Sequence, residues 1–212
     1  MTLTVPSIDA PPSRSKLVLF PSFTAASARA AQILLEDNHQ RYHVFFNENG
    51  FHNHFVHHAL SALALGLPPK GIDAIYKKDQ GDTLDEAWEY NRRPQQVLSS
   101  SHTDQKSKDS IQHGGTAVEV DESNWTSFAG NRAQYWPYLA FFHTYINQHG
   151  IAASLEKFIF SKEANAPDVE MLARFIGGLL HPLIHVGYGA EFALNGVVAE
   201  GASWSPTSRA LC

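Results

Sequence analysis

Apolar residues in this chain recur three and four positions apart rather than two, and that spacing restricts what it can fold into. Trp136, Leu139, Phe142 and Ile146 share one helical face, with Gly150 following as a stop. The run FHNHFVHHALSALAL at 51–65 is helical in pattern and ends at Gly66 and Pro68-Pro69. Thr24 suits the N-cap of an alanine-rich helix reaching about Asp37, and a further helix is expected around Asp73 to Tyr90. A short helix fits Leu155 to Phe160, and Pro167, suited to a first helical position, opens the long segment that ends at Leu194. Polar–apolar alternation is scarce, SKLVLF at 15–20 being the best strand candidate. The expected fold is therefore mostly α, a bundle-like multi-helix single domain over residues 17–195.

Three stretches fall outside that pattern. Residues 1–16 read as a flexible leader, and SSSHTDQKSKDSIQH at about 99–113 reads as a polar surface loop. Residues 196–212 read as an irregular tail with no closing element, which suggests a form truncated from a larger all-α domain. A hydrophobic fraction of 43% supplies a proper core. A net charge of −5 with no Lys/Arg block argues against nucleic-acid or anionic-membrane partners. No secretory signal or apolar run of membrane-spanning length is present, so the expected location is the cytoplasm. Cys212 is the single cysteine, so a bound metal must use nitrogen and oxygen ligands.

Three His-x-x-x-His pairs occur, where twelve histidines placed at random would give roughly 0.7. They are His39/His43, His54/His58 and His181/His185. On a helix, residues four apart share a face, so each pair can offer two imidazoles to one ion. A backbone carbonyl or an Asp can equally satisfy a buried imidazole, and that packing role stays open for each pair. Pro182 within the second apolar pair, and Gly177, Gly178, Gly187 and Gly189 around it, predict a kinked segment open to close approach. His52 reads as a cap or solvent residue, and His57 as facing a different surface from His58. Tyr188, three residues after His185, is a candidate substrate contact, with a core tyrosine as the alternative.

Two such pairs in a helical core suit Fe, Zn, Cu or Ni. A zincin hydrolase is disfavoured because residue 182 is Pro where a general-base Glu is needed. Only one Glu-x-x-His near match appears, at Glu36 to His39, against the two of a di-iron carboxylate bundle. Phosphate loops and the nucleophile elbow are absent, so no nucleotide cofactor or serine hydrolase is indicated.

FHNHFVHHALSALALG at 51–66, NWTSFAGNRAQYWPYLAFF at 124–142 and GGLLHPLIHVGYGAEF at 177–192 resemble the questin oxidase-like family of fungal polyketide metabolism. The resemblance covers most of residues 25–195. It implies a helical oxidoreductase, an oxygenase that opens the ring of an aromatic polyketide such as an anthraquinone in a Baeyer–Villiger-like reaction. The implied cofactor is non-haem Fe(II) with O2 as co-substrate, and the need for NADPH as an external reductant is left open by the sequence. Through the matched blocks, the resemblance points to His54, His58, His181 and His185 as the iron ligands. Family members are expected to be about twice this length, so part of the site would lie outside this chain. The alternatives are an inactive or regulatory short form and, as a third reading, a zinc-dependent hydrolase. The oligomeric state is left open by the sequence.

Overall fold

The computed structural model describes residues 22–44, 52–82 and 118–207. The leader at 1–16, the SKLVLF strand candidate and the polar loop at 99–113 lie outside the described residues. Among the described residues the protein is mostly helical and contains no sheet. Its α-helices are α1 (Ala25–Arg41), α2 (Phe55–Ala64), α3 (Pro69–Asp82) and α4 (Tyr135–His149), followed by α5 (Ile151–Leu155), α6 (Met171–Ile176), α7 (His181–Glu191) and α8 (Asn195–Thr207). None is long and apolar enough to cross a membrane.

Local chemistry explains most of the boundaries. Thr24 is extended, and its hydroxyl accepts the Ser27 N–H at 3.1 Å, which caps α1 as expected. Helix α2 begins at Phe55 rather than Phe51, because the Asn53 side chain takes the Phe55 N–H at 3.0 Å and His54 occupies the N-cap position. Gly150, at φ 83°, closes α4. The expected helix at 155–160 is a π-turn, Glu156–Phe160, running on from α5.

The buried apolar residues form two clusters. Ala31, Leu35, Phe55, Leu60, Ile72 and Tyr76 join α1, α2 and α3. Trp125, Tyr138, Phe142, Phe158, Phe175 and Trp204 join α4, the π-turn, α6 and α8. Helices α7 and α8 contribute to both, so the seam between the clusters runs along them.

Two sequence expectations are corrected here. The segment from Pro167 is not one long helix: it breaks after Ile176, and Pro182 falls in the first turn of α7. There its missing N–H breaks no helical hydrogen bond and it introduces no kink. The second correction concerns the supposed tail at 196–212. Residues up to Thr207 form α8, in which every residue from Gly196 onward is buried. A helix enclosed on all sides has no polar face, so the amphipathic signature that marks surface helices is missing from its sequence.

Small residues let α8 sit there. A Cβ on Gly201 would lie 2.7 Å from Val186 Cγ2 and 3.0 Å from the Val186 nitrogen, and one on Gly189 would lie 2.7 Å from the Val198 nitrogen. The α7–α8 crossing is thus backbone against backbone at two points, while a Cβ on Gly187 would meet nothing within 4 Å. Gly201→Ala and Gly189→Ala are each expected to lower unfolding free energy by about 1–3 kcal/mol through overpacking. Gly187→Ala should be neutral or stabilising by up to about 1 kcal/mol. Urea denaturation of the three variants checks this.

Candidate functional site

The seam is lined with imidazoles. His52 and His54 lie in the lead-in to α2, His57 and His58 in its first turn, and His181 and His185 on α7. His54 and His181 come together across 127 positions of sequence, Nε2 to Nε2 at 3.2 Å. The His54 Nδ1–H donates to the His52 carbonyl at 3.0 Å, and the His181 Nδ1–H donates to the Gly178 carbonyl at 2.6 Å. A carbonyl can only accept, so each Nδ1 carries the hydrogen and each neutral ring turns an Nε2 lone pair toward the other. Two lone pairs facing at that separation repel unless a proton or a cation lies between them. His52 completes the cluster: one ring nitrogen from each of His52, His54 and His181 lies within 4.8 Å of the others.

The backbone before His181 is bent to achieve this. Gly178, Leu179 and Leu180 all have positive φ, at 54°, 56° and 67°, forming a single left-handed turn. Side-chain-bearing residues in that region cost of order 1 kcal/mol each or more. Leu179 recovers nothing by burial, since it is 79% exposed. The turn puts the Gly178 carbonyl under His181 Nδ1.

The other two histidines of the expected ligand set have carboxylate partners. The His58 Nδ1–H donates to Asp79 on α3 at 2.8 Å, and this hydrogen bond raises the His58 pKa against the opposing effect of burial. Its ring stacks on His54 with centroids 5.7 Å apart. The His185 Nε2–H donates to Glu200 on α8 at 2.7 Å. The other Glu200 oxygen accepts from His39 Nδ1 on α1. One buried carboxylate thus ties α1 and α7 to α8. Tyr188 packs flat on His57 at 5.2 Å, and its hydroxyl bonds Ser61 Oγ on α2 at 2.6 Å.

Charge is distributed unevenly across this constellation. Burial, then the neighbouring imidazoles, push His52 and His57 down to about 2. Burial and His181 also lower His54. These rings stay neutral at ordinary pH and keep their lone pairs, the state that metal ligation requires. Burial would raise Glu200, but the charge of His39 and the hydrogen bonds from His185 and His39 outweigh it and hold the carboxyl at about 2. His39 is raised, the pull of Glu200 exceeding the cost of burial.

His52, His57 and Glu200 are the site residues that the sequence did not single out. His52 was hidden because it precedes the helix, where four-residue spacing says nothing about neighbours. Glu200 lay in the supposed tail. Its one signal was being the lone charged residue among the small and apolar residues of 195–207.

Two expectations follow from this geometry. Leu179→Gly should raise unfolding free energy by about 1 kcal/mol by relieving a left-handed residue without loss of buried surface. Glu200→Gln should cost roughly 3 kcal/mol near neutral pH by breaking a buried pair. Because the Glu200 pKa is depressed in the folded state, its contribution is present above the ordinary value of 4.5 and fades toward about 2. The stability gap between wild type and Glu200→Gln should therefore shrink across that window, read from urea melts at several pH values.

The sequence profile of the questin oxidase-like family matches residues 51–209. The chain is 31% identical to the Baeyer-Villiger monooxygenase AacuH of Aspergillus aculeatus over 180 residues, covering 85% of this chain and 33% of that protein. It is 30% identical to the Baeyer-Villiger oxidase ptaJ of Pestalotiopsis fici, over 85% of this chain and 35% of that one. Against the questin oxidase of Aspergillus terreus it is 30% identical over 81% of this chain and 33% of the relative. The chain spans about a third of the length of these curated relatives, less than the half expected from sequence. By its profile match over three quarters of its residues, the chain belongs to the questin oxidase-like family.

Proposed function

We propose that this chain carries the histidine site of an oxidoreductase that opens the ring of an aromatic polyketide, such as an anthraquinone, in a Baeyer–Villiger-like reaction with O2. The observation that carries this reading is the His54–His181 pair, whose Nε2 lone pairs face each other at 3.2 Å with both Nδ1 hydrogens committed to carbonyls. Imidazoles held in one tautomer by carbonyls are the usual support of a metal ligand. The relatives named as Baeyer–Villiger oxidases and questin oxidase support the reaction class.

The donor set fits non-haem iron. Three imidazole nitrogens and no thiolate suit a borderline divalent metal, with positions left for other ligands. His52, His54 and His181 would hold it, and when bound it would supply the activation of O2. NADPH, as an external reductant, is the co-reactant this reading allows. The chain's own residues have separate tasks. The Gly178 and His52 carbonyls fix the tautomers of His181 and His54. Tyr188, anchored by Ser61 and stacked on His57, gives a flat aromatic face with a hydroxyl beside the cluster, suited to contact with a phenolic ring. His58, with its Nδ1–H on Asp79 and half its side chain exposed, is oriented to exchange a proton with substrate or solvent.

Metal analysis after anaerobic Fe(II) loading tests the reading. One iron per chain is expected, with affinity falling at least tenfold in His54→Ala and in His181→Ala. Oxygen uptake with an anthraquinone-type phenol should follow the bound iron. Absence of iron binding overturns the site. Bound iron without oxygen uptake favours a family member that keeps the site without turnover, and stoichiometric zinc without oxygen uptake favours a hydrolase.

A further inference from the structure

We propose that Glu200 is a positioning residue for the histidine site, acting through His185: its carboxylate holds the His185 ring as the Nε2–H tautomer and keeps Nδ1 an acceptor inside the imidazole cluster. The inference rests on the metal-site reading above and extends it beyond the three proposed ligands, from Glu200 through His185 and His57 to His54.

The geometry leaves little freedom. The His185 and Glu200 side chains are 1% and 4% exposed, and the Nε2–carboxylate bond is 2.7 Å. A carboxylate accepts, so Nε2 bears the hydrogen, and in the Nε2–H tautomer Nδ1 is left with the lone pair. That Nδ1 is buried and has no hydrogen-bond partner among the described residues, and the same holds for His57 Nε2. The two rings stand 5.3 Å apart. An unpartnered buried nitrogen is costly in a core built only for stability, and two on adjacent rings mark a place built for something else.

The backbone enforces the contact. Gly201, next to Glu200, packs on the nitrogen of Val186, next to His185, so the carboxylate and the imidazole meet beside the tightest point of the α7–α8 crossing. His39, on the other carboxylate oxygen, satisfies that oxygen and balances the charge from α1. The carboxylate fixes this ring by the same kind of hydrogen bond that orients metal-binding histidines, here one ring removed from the proposed ligands.

A purely structural role, a clamp joining three helices, makes different predictions. Long-range 15N–1H spectra of histidine-labelled wild type should show His185 as the Nε2–H tautomer. In Glu200→Gln the amide can offer an oxygen to only one of its two imidazoles. His185 should then lose its fixed tautomer, Co(II) affinity should fall about tenfold or more, and the visible Co(II) bands should shift. Glu200→Asp should recover part of both. His39→Gln should lower stability while leaving the His185 tautomer and the Co(II) bands as in wild type. Finding the Nδ1–H tautomer in wild type, or unchanged Co(II) affinity and bands in a folded Glu200→Gln, overturns the proposal. If Glu200→Gln does not fold, the wild-type tautomer and the His39→Gln comparison still decide it. Should wild type bind no Co(II), the metal-site reading fails, while the tautomer measurement independently reports whether Glu200 governs His185.

Discussion

The close crossing of α7 and α8 is the contact on which the rest of the molecule depends. Gly189 and Gly201 let two backbones approach to a distance that any Cβ would prevent. At that distance one short carboxylate on α8 reaches His185 on α7 and, on its other side, His39 on α1. A wider crossing would leave Glu200 buried without its partners, a cost of several kcal/mol that the helix interface could not absorb. The packing of small residues and the burial of a charge are therefore a single constraint.

The histidine cluster is built by a different device. Backbone carbonyls, one from the lead-in to α2 and one from a left-handed turn before α7, choose which nitrogen of His54 and His181 carries the hydrogen. Carbonyl groups can only accept, so the tautomer choice at each ring follows from backbone geometry alone. Burial, and then the neighbouring imidazoles, depress the proton affinity of His52 and His57. The same strained turn that costs conformational energy at Leu179 and Leu180 delivers this orientation.

How much was legible in the sequence depended on which signal each element carries. Helices with an exposed face and a cap, such as α1 with Thr24 or α4 with Gly150, announce themselves through periodicity and end groups. Helix α8 has neither an exposed face nor apolar bulk, so NGVVAEGASWSPT reads as irregular although it is the most enclosed helix among those described. The pairing of His54 with His181 was anticipated from two separate His-x-x-x-His pairs. That four-residue logic could not find His52, which sits in extended chain before the helix, nor Glu200, whose role depends on a partner 161 positions away. Pro182 misled for a related reason: only the left-handed turn before it, invisible in composition, makes it a helix-opening residue rather than a kink.

The enclosure of α8 bears on how the chain is made as well as on how it stands. The helices that surround it, including α1, α4 and α7, are all synthesised before it, and none can complete its buried face until residues 195–207 have emerged from the ribosome. The nascent chain must therefore carry unfinished apolar surface until residues 195–207 have been made, relying on long-range contacts rather than growing outward from its first helices. Shielding by chaperones during translation would matter more for such a protein than for a bundle whose central helix comes first.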